Sequence, residues 1–250
     1  MRKKWWILTL AAVLGLVVVA GGVWYFVFRD TSPAAVSIDS ASKAAEDANA
    51  SSNSGGTGSG STNTSNLDGT WTVSSTIGSF SDFTSSFAGF RVQEQLAGIG
   101  AKTAVGRTPN VTGTMTIDGN TIPKTAIDVD MTTLTSDDSR RDGQMRTQGI
   151  ETSKFPKASF TLTQPIELGS LPADGQKITV NAVGDLNLHG VTKQVTFPLE
   201  AQRTGDVIVV VGQLEIPFSD YSISRPTSAA VLSVEDKGIM EVQLFFTKTA

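Results

Sequence analysis

The sequence predicts a mostly β protein: an antiparallel β-barrel of about eight strands with one or two short helices, preceded by an N-terminal transmembrane helix and a disordered linker. Three observations predict it: an uncharged apolar run near the start, a tract of small polar residues after it, and a hydrophobic period of two from Leu67 onward. The 250 residues therefore divide into a start and anchor over 1–29, a linker over 30–66 and a barrel domain over 67–250. The domain is long enough to bury a core without disulfides.

Between Trp5 and Phe28 there is no charged residue. About 24 residues at 1.5 Å per residue reach roughly 36 Å, enough to cross a hydrocarbon core of about 30 Å. Trp5 and Trp6 at one end, and Trp24 and Tyr25 near the other, resemble the aromatic belts at the two head-group levels. Arg2, Lys3 and Lys4 precede the run, and the positive-inside bias keeps this end in the cytoplasm. A single pass then places the C-terminal domain outside the cytoplasm, at the cell membrane. A cleaved signal peptide is the alternative, with Val18, Ala20 and Gly21 near the processing site. The run continues beyond Ala20 through Phe28, longer than an ordinary signal core, and both readings export the rest of the chain.

Residues 30–66 are dominated by Ser, Ala, Thr, Gly and Asn and contain no aromatic side chain. Such a tract predicts a flexible coil spanning on the order of 30–35 Å. An Ala-rich helix over residues 41–48 is too short to persist alone in water.

Within the domain, Ile127, Val129 and Met131 alternate with polar neighbours, as do Ala158, Phe160 and Leu162. The same alternation recurs at Val195, Phe197, Leu199 and Ala201, at Leu214, Ile216 and Phe218, and at Met240, Val242, Leu244 and Phe246. Each such strand has one face in the core and one toward solvent. Pro198 cannot donate to a ladder, which marks its strand as irregular or an edge there. Turn chemistry separates the runs at Asp118-Gly119-Asn120, Ala173-Asp174-Gly175, His189-Gly190 and Thr204-Gly205-Asp206. Two segments depart from period two. Residues 90–101 suit a short helix ended by Gly98 and Gly100, and residues 136–150 suit another, capped by Ser136 or Asp137.

Three stretches carry a family resemblance. They are Arg141-Asp142-Gly143-Gln144-Met145-Arg146 with Lys154-Phe155-Pro156-Lys157-Ala158-Ser159-Phe160, then Leu186-Asn187-Leu188-His189-Gly190-Val191-Thr192-Lys193, then Phe218-Ser219-Asp220-Tyr221-Ser222-Ile223. From Leu67 to the C-terminus the domain resembles the YceI-like family of bacterial lipid-binding proteins. The resemblance implies a lipocalin-like barrel holding a polyisoprenoid in an elongated apolar interior. This chain lacks the histidines often found early in that family and has a longer stretch over residues 90–109.

The candidate lining and mouth residues are Phe83, Phe87, Phe90, Leu96, Ile99, Ile127, Val129, Met131, Met145, Phe160, Leu162, Leu186, Leu188, Phe197, Leu214 and Phe218, with Arg140, Arg141 and Arg146 as head-group candidates. Packed core is the competing role for the phenylalanines, and pairing with Asp138 and Asp142 is the competing role for the arginines. His189 is the sole histidine and there is no cysteine, so no zinc site, thiol nucleophile or cofactor is expected. Asp137, Asp138 and Asp142 lack the ligand spacing of a calcium loop. A net charge of −4 makes nucleic acid a poor partner. The sequence thus points to a binding protein, not an enzyme, whose partner is a polyisoprenoid or other long-chain lipid. A filled barrel serving as an envelope interaction module is the alternative.

Overall fold

The computed structural model describes residues 32–53 and 67–249. The anticipated membrane helix over residues 5–28 lies outside them. Among the described residues no helix is long and apolar enough to cross a membrane.

Helix α1 (Ile38–Asn53) comes first, followed by β1 (Gly69–Val73), β2 (Phe87–Leu96), β3 (Gly100–Thr108), β4 (Val111–Asp118), β5 (Thr121–Asp130) and β6 (Thr135–Ser136). Helix α2 (Ser139–Thr147) leads to β7 (Lys157–Leu162), β8 (Ile166–Glu167), β9 (Lys177–Leu188), β10 (Val191–Thr204), β11 (Val207–Pro217), β12 (Val231–Val234) and β13 (Lys237–Lys248). Antiparallel neighbours run β1-β4-β5-β7-β9-β10-β11-β13, and β13 returns to β1, so eight strands close a barrel as the period-two pattern predicts.

One strand does double duty. The last residues of β13 pair with β1 (Phe246↔Val73), while Ile239–Gln243 pair with β2, which branches outward with β3 and β6. The barrel therefore has an upper end, carrying the turns at Gly119 and Gly205, and a lower end, carrying the His189-Gly190 turn, α2 and the β2–β3 tip.

The turns form where the sequence places them. Gly119, Gly190 and Gly205 all have positive φ and sit in hairpins. Ala173-Asp174-Gly175 is also a turn, but within the β8–β9 connection. Pro198 lies where β10 parts from β11: the two strands pair only from Leu199↔Gly212 upward, so the missing N–H falls just below the ladder.

Two expectations fail. Residues 90–101 form the β2–β3 hairpin and not a helix, because Ala88, Phe90 and Val92 line the barrel while both edges of β2 are taken by β13, β12 and β3. Gly98 and Gly100, at φ +73° and +107°, make its turn. The linker also departs from a flexible coil over Ile38–Asn53, since α1 buries Ile38, Ala41, Ala44 and Ala45 against the outer faces of Val207, Val209, Val211 and Phe245. An isolated helix of this composition is marginal, and the packing of its small-residue stripe onto β11 is what holds it. The second expected helix is present as α2, capped by Asp138, whose carboxylate accepts from the Arg140 N–H at 2.8 Å.

Candidate functional site

Inside the barrel lie two chambers in line. The upper has a volume of about 140 Å³, and its walls include Met115, Ile117, Phe160, Phe197, Ile208, Val210, Leu244 and Phe246. The lower has a volume of about 160 Å³, and its walls include Phe90, Met131, Leu134, Leu188, Ile216, Phe218 and, from α2, Met145. Ala88, Val129, Ala158 and Met240 border both chambers and form a waist between them. Every methionine after Met1, namely Met115, Met131, Met145 and Met240, lines one chamber or both. Unbranched thioether side chains refit to irregular contents at low cost, so these walls are adaptable.

The predicted lining separates into four groups. Ile127, Val129, Phe160, Leu162, Leu186 and Phe197 line the upper chamber, while Phe90, Met131, Met145, Leu188, Phe218 and Arg141 line the lower. Leu214 packs partly buried where β10 and β11 diverge, and Leu96 and Ile99 stand at the β2–β3 tip. Phe83 and Phe87 lie outside the barrel wall, where both rings sit 4.4 Å from the Arg107 guanidinium carbon. They clamp a cation there and touch neither chamber.

Of the three arginines, only Arg141 reaches the site. Its guanidinium bonds Glu94 Oε1 at 2.6 Å and Asp137 Oδ1 at 2.5 Å. Burial alone would lower its pKa, but the bonds and charge of Glu94, aided by Asp137, raise it overall. Arg140 projects into solvent near Asp138 at 3.9 Å, and Arg146 is exposed. Asp142 instead accepts from the Ser136 N–H and hydroxyl at 2.8 and 2.7 Å, tying α2 to β6. At the upper rim Arg203 lines the first chamber and donates to the Gly205 carbonyl at 2.9 Å.

His189 is more than a local turn residue. At φ +54° beside Gly190 at +75°, it forms the left-handed pair that a type I′ turn requires. Its Nδ1 lies 2.9 Å from the Tyr221 carbonyl, its Nε2 2.9 Å from Glu151 Oε2, and its ring 4.1 Å from that of Phe155. A Cβ at Gly190 would come within 2.8 Å of the Phe155 ring, so only glycine fits. Lys193 bonds Asp220 at 2.7 Å. The stretches that carried the resemblance thus meet at the lower end, where they close the floor beside the second chamber. Tyr221 belongs to that floor, and burial, then the Asp220 charge, pushes its phenol above the ordinary value.

Sequence reasoning missed Ala88, Met115, Ile117, Ile208, Val210 and Phe246 as lining. Met115 and Ile117 were findable, since Val111, Met115 and Ile117 alternate with threonines up to the Asp118-Gly119 turn.

The sequence model of the family described as "YceI-like domain" matches residues 62–246. The chain belongs to the YceI-like family. A YceI protein of Escherichia coli O157:H7 is 32% identical over 123 residues, which is 48% of this chain and 58% of that protein. A UPF0312 protein of Vibrio vulnificus strain YJ016 is 29% identical over 143 residues, 52% of this chain and 70% of its own length. A solved polyisoprenoid binding domain from Saccharophagus degradans matches the fold with a TM-score of 0.51 at 21% identity, covering 66% of this chain and 94% of that one. At such identity the likeness speaks for the architecture of the YceI-like barrel alone.

Proposed function

We propose that this chain is a membrane-tethered, extracytoplasmic protein that holds a long apolar lipid of isoprenoid type within its barrel. The observation that carries the reading is the pair of collinear hydrocarbon-walled chambers joined at Ala88, Val129, Ala158 and Met240. An apolar cavity of about 150 Å³ holds a benzene-sized group. Each chamber therefore accepts a short branched segment as it stands, and a longer tail threads both once Met240 and its neighbours shift. Burial at roughly 25 cal/mol per Å² makes such a tail a strong guest. Hydrocarbon walls grip without reacting, which supports binding and not catalysis. The hollow interior also disfavours a filled interaction module. Arg141 at the lower chamber and Arg203 at the upper rim are the groups placed to meet a polar head, with Arg141 already engaged by two carboxylates.

The test is native mass spectrometry and lipid extraction of the chain purified from its own membranes. A long-chain apolar molecule released on denaturation is expected, and a chain that is repeatedly empty and takes up no prenyl lipid overturns the reading. Tethering is checked separately: the chain should resist carbonate extraction, and protease added to spheroplasts should digest its C-terminal domain.

A further inference from the structure

We infer that the lower mouth of the barrel faces the bilayer, with the β2–β3 tip and adjoining β12 seated among the lipid head groups. The inference rests on the tether proposed above and adds which end of the barrel the tether holds down.

The geometry begins with the strap before α1. Gln213 Nε2 donates to the Val36 carbonyl at 3.3 Å, Arg107 Nη2 to the Ala34 carbonyl at 2.6 Å, and Arg91 Nη1 to the Pro33 carbonyl at 2.7 Å. Gln213 and Gly89 both pair with Glu241, Arg107 pairs with Gly89, and Arg91 pairs with Ile239, two residues lower on both β2 and β13. Read from Val36 back to Pro33, the chain therefore descends the outer wall toward the lower end.

Reach then discriminates between the ends. Five Cα-to-Cα steps lead from Phe28 to Pro33, a span of at most about 18 Å. From Arg91 to Leu96, at the start of the tip, is five residues of strand, roughly 17 Å. In the other direction, Ile239 to Lys248 is nine residues, roughly 30 Å. An anchor ending at Phe28 would leave the lower tip nearer the membrane than the upper rim.

The surface at that tip suits the placement. Residues 95–101 and 226–234 carry no charge, and they are joined by Val231↔Leu96 and by the Ala97 N–H to the Ala230 carbonyl at 2.9 Å. They present Leu232, 65% exposed, and Ile99, 37% exposed. Leu171, the other exposed large apolar residue among those described, stands alone at the upper rim. Two exposed apolar side chains on adjoining uncharged strand ends favour the head-group boundary. Pro226, Ile223 and Val234 continue from this surface into the lower chamber, so a tail leaving the bilayer has an apolar path inward.

The chain has no cysteine, so single labels are unambiguous. Ile99→Cys, Leu232→Cys, Leu171→Cys and Asp206→Cys variants of the full chain are reconstituted in phosphatidylcholine–phosphatidylglycerol vesicles, labelled with an environment-sensitive fluorophore and quenched with spin-labelled lipid. Quenching roughly threefold or more stronger at the two lower positions than at the two upper ones is expected for a tip within about 5–10 Å of the acyl boundary. Equal quenching at all four, or stronger quenching above, overturns the orientation, as does shielding of Ile99 that grows with protein density and is insensitive to the lipid quencher, the sign of a second copy on the tip. Carbonate extraction of the same vesicles separates the causes. A chain retained in the membrane but quenched wrongly refutes only the orientation, whereas a chain released refutes the tether and the orientation together.

Discussion

The two faces of β13 are both dry and are built from opposite chemistry. Inward, Met240, Val242, Leu244 and Phe246 border a hollow interior. Outward, Glu241, Gln243 and Phe245 are 0%, 4% and 0% exposed in a wall without room. Gln243 donates to the Phe83 and Ser85 carbonyls at 2.9 and 2.8 Å, and Glu241 takes Arg107 at 2.6 Å beneath the Phe83 and Phe87 rings. Burial lowers the Arg107 pKa and the Glu241 charge opposes that shift. The contrast teaches that specificity of fold and capacity for a guest are separated across one strand. The outer face fixes geometry with directional bonds, which leaves the inner face free to be soft.

Breaking the outer face should therefore cost most. Glu241→Ala strands a buried guanidinium, and a loss of about 3–5 kcal/mol is expected by urea denaturation. Replacing the pair together, Arg107→Met with Glu241→Leu, should lose less than either single change, because the buried Arg107 charge leaves with its partner and only the partly exposed Arg91, 3.9 Å from Glu241, then lacks that carboxylate. If the double variant is as unstable as the singles, the rings and strap and not the ion pair hold this wall.

The next largest effect tests whether α1 belongs to the outer wall. Ala45 is 0% exposed against β11, and Ala45→Glu places an unpaired carboxylate there. We expect α1 to undock at a cost of about 1–3 kcal/mol, read as faster amide exchange over residues 38–53 with the strands still protected. Uniform loss of protection in the barrel would instead make α1 part of the folding core. Its interface has slack, since Ser42 Oγ, Gln202 Oε1 and Thr204 Oγ1 are buried with no partner among the described residues.

On the inner face, truncation should be cheap. Met→Ala in a closed core costs about 2–5 kcal/mol, but Met240 already borders empty space, so Met240→Ala should fall at or below the bottom of that range. Phe245→Ala, on the same strand as Met240 but on its packed face, should cost about 3–5 kcal/mol. Met240→Ala should also retain longer prenyl lipids in extracts. Equal costs for the two would mean that the inner face is as rigid as the outer.

How much of this was legible follows from what hydrophobic periodicity reports. Alternation gave the strands, the hairpin turns and most of the inward residues, because period two is set by the pleat itself. It said nothing of whether the polar face is wet, so Glu241 and Gln243 read as solvent-facing when other elements cover them. The covering was partly written in β11, where Val207-Ile208-Val209-Val210-Val211 is an unbroken apolar run, the mark of a strand buried on both faces. Read that way, it asks for a second layer, and the alanines of α1 at three- and four-residue spacing supply it. Phe83 and Phe87 could not be placed from sequence, since an aromatic beside an arginine distant in the chain looks the same as one in a cavity. Phe90 to Ile99 misled because Leu96 and Ile99 fit a helical spacing, and the pairing that overrides it comes from β13 and β3.

The smallest expected effect concerns the joint where inner and outer walls meet at the lower end. Asp130 ends β5, and its carboxylate accepts from the Thr132 hydroxyl at 2.6 Å and the Thr132 N–H at 2.9 Å. The hydroxyl bond first, and the backbone bond second, hold its pKa below the ordinary 3.8. A depressed carboxylate stabilises the fold fully above that ordinary value and loses its contribution as pH falls through the lower one. Asp130→Asn, which keeps an oxygen acceptor but cannot charge, should therefore be slightly less stable than the parent at pH 7, with the gap closing as the solution is taken below pH 3.8. Because the group is solvent-exposed, added salt should shrink the gap as well. A gap that is constant with pH would mean that the turn depends on the geometry of the cap and not on its charge. In that case the short turn carrying Met131 into the lower chamber is positioned by packing, as the rest of the inner face is.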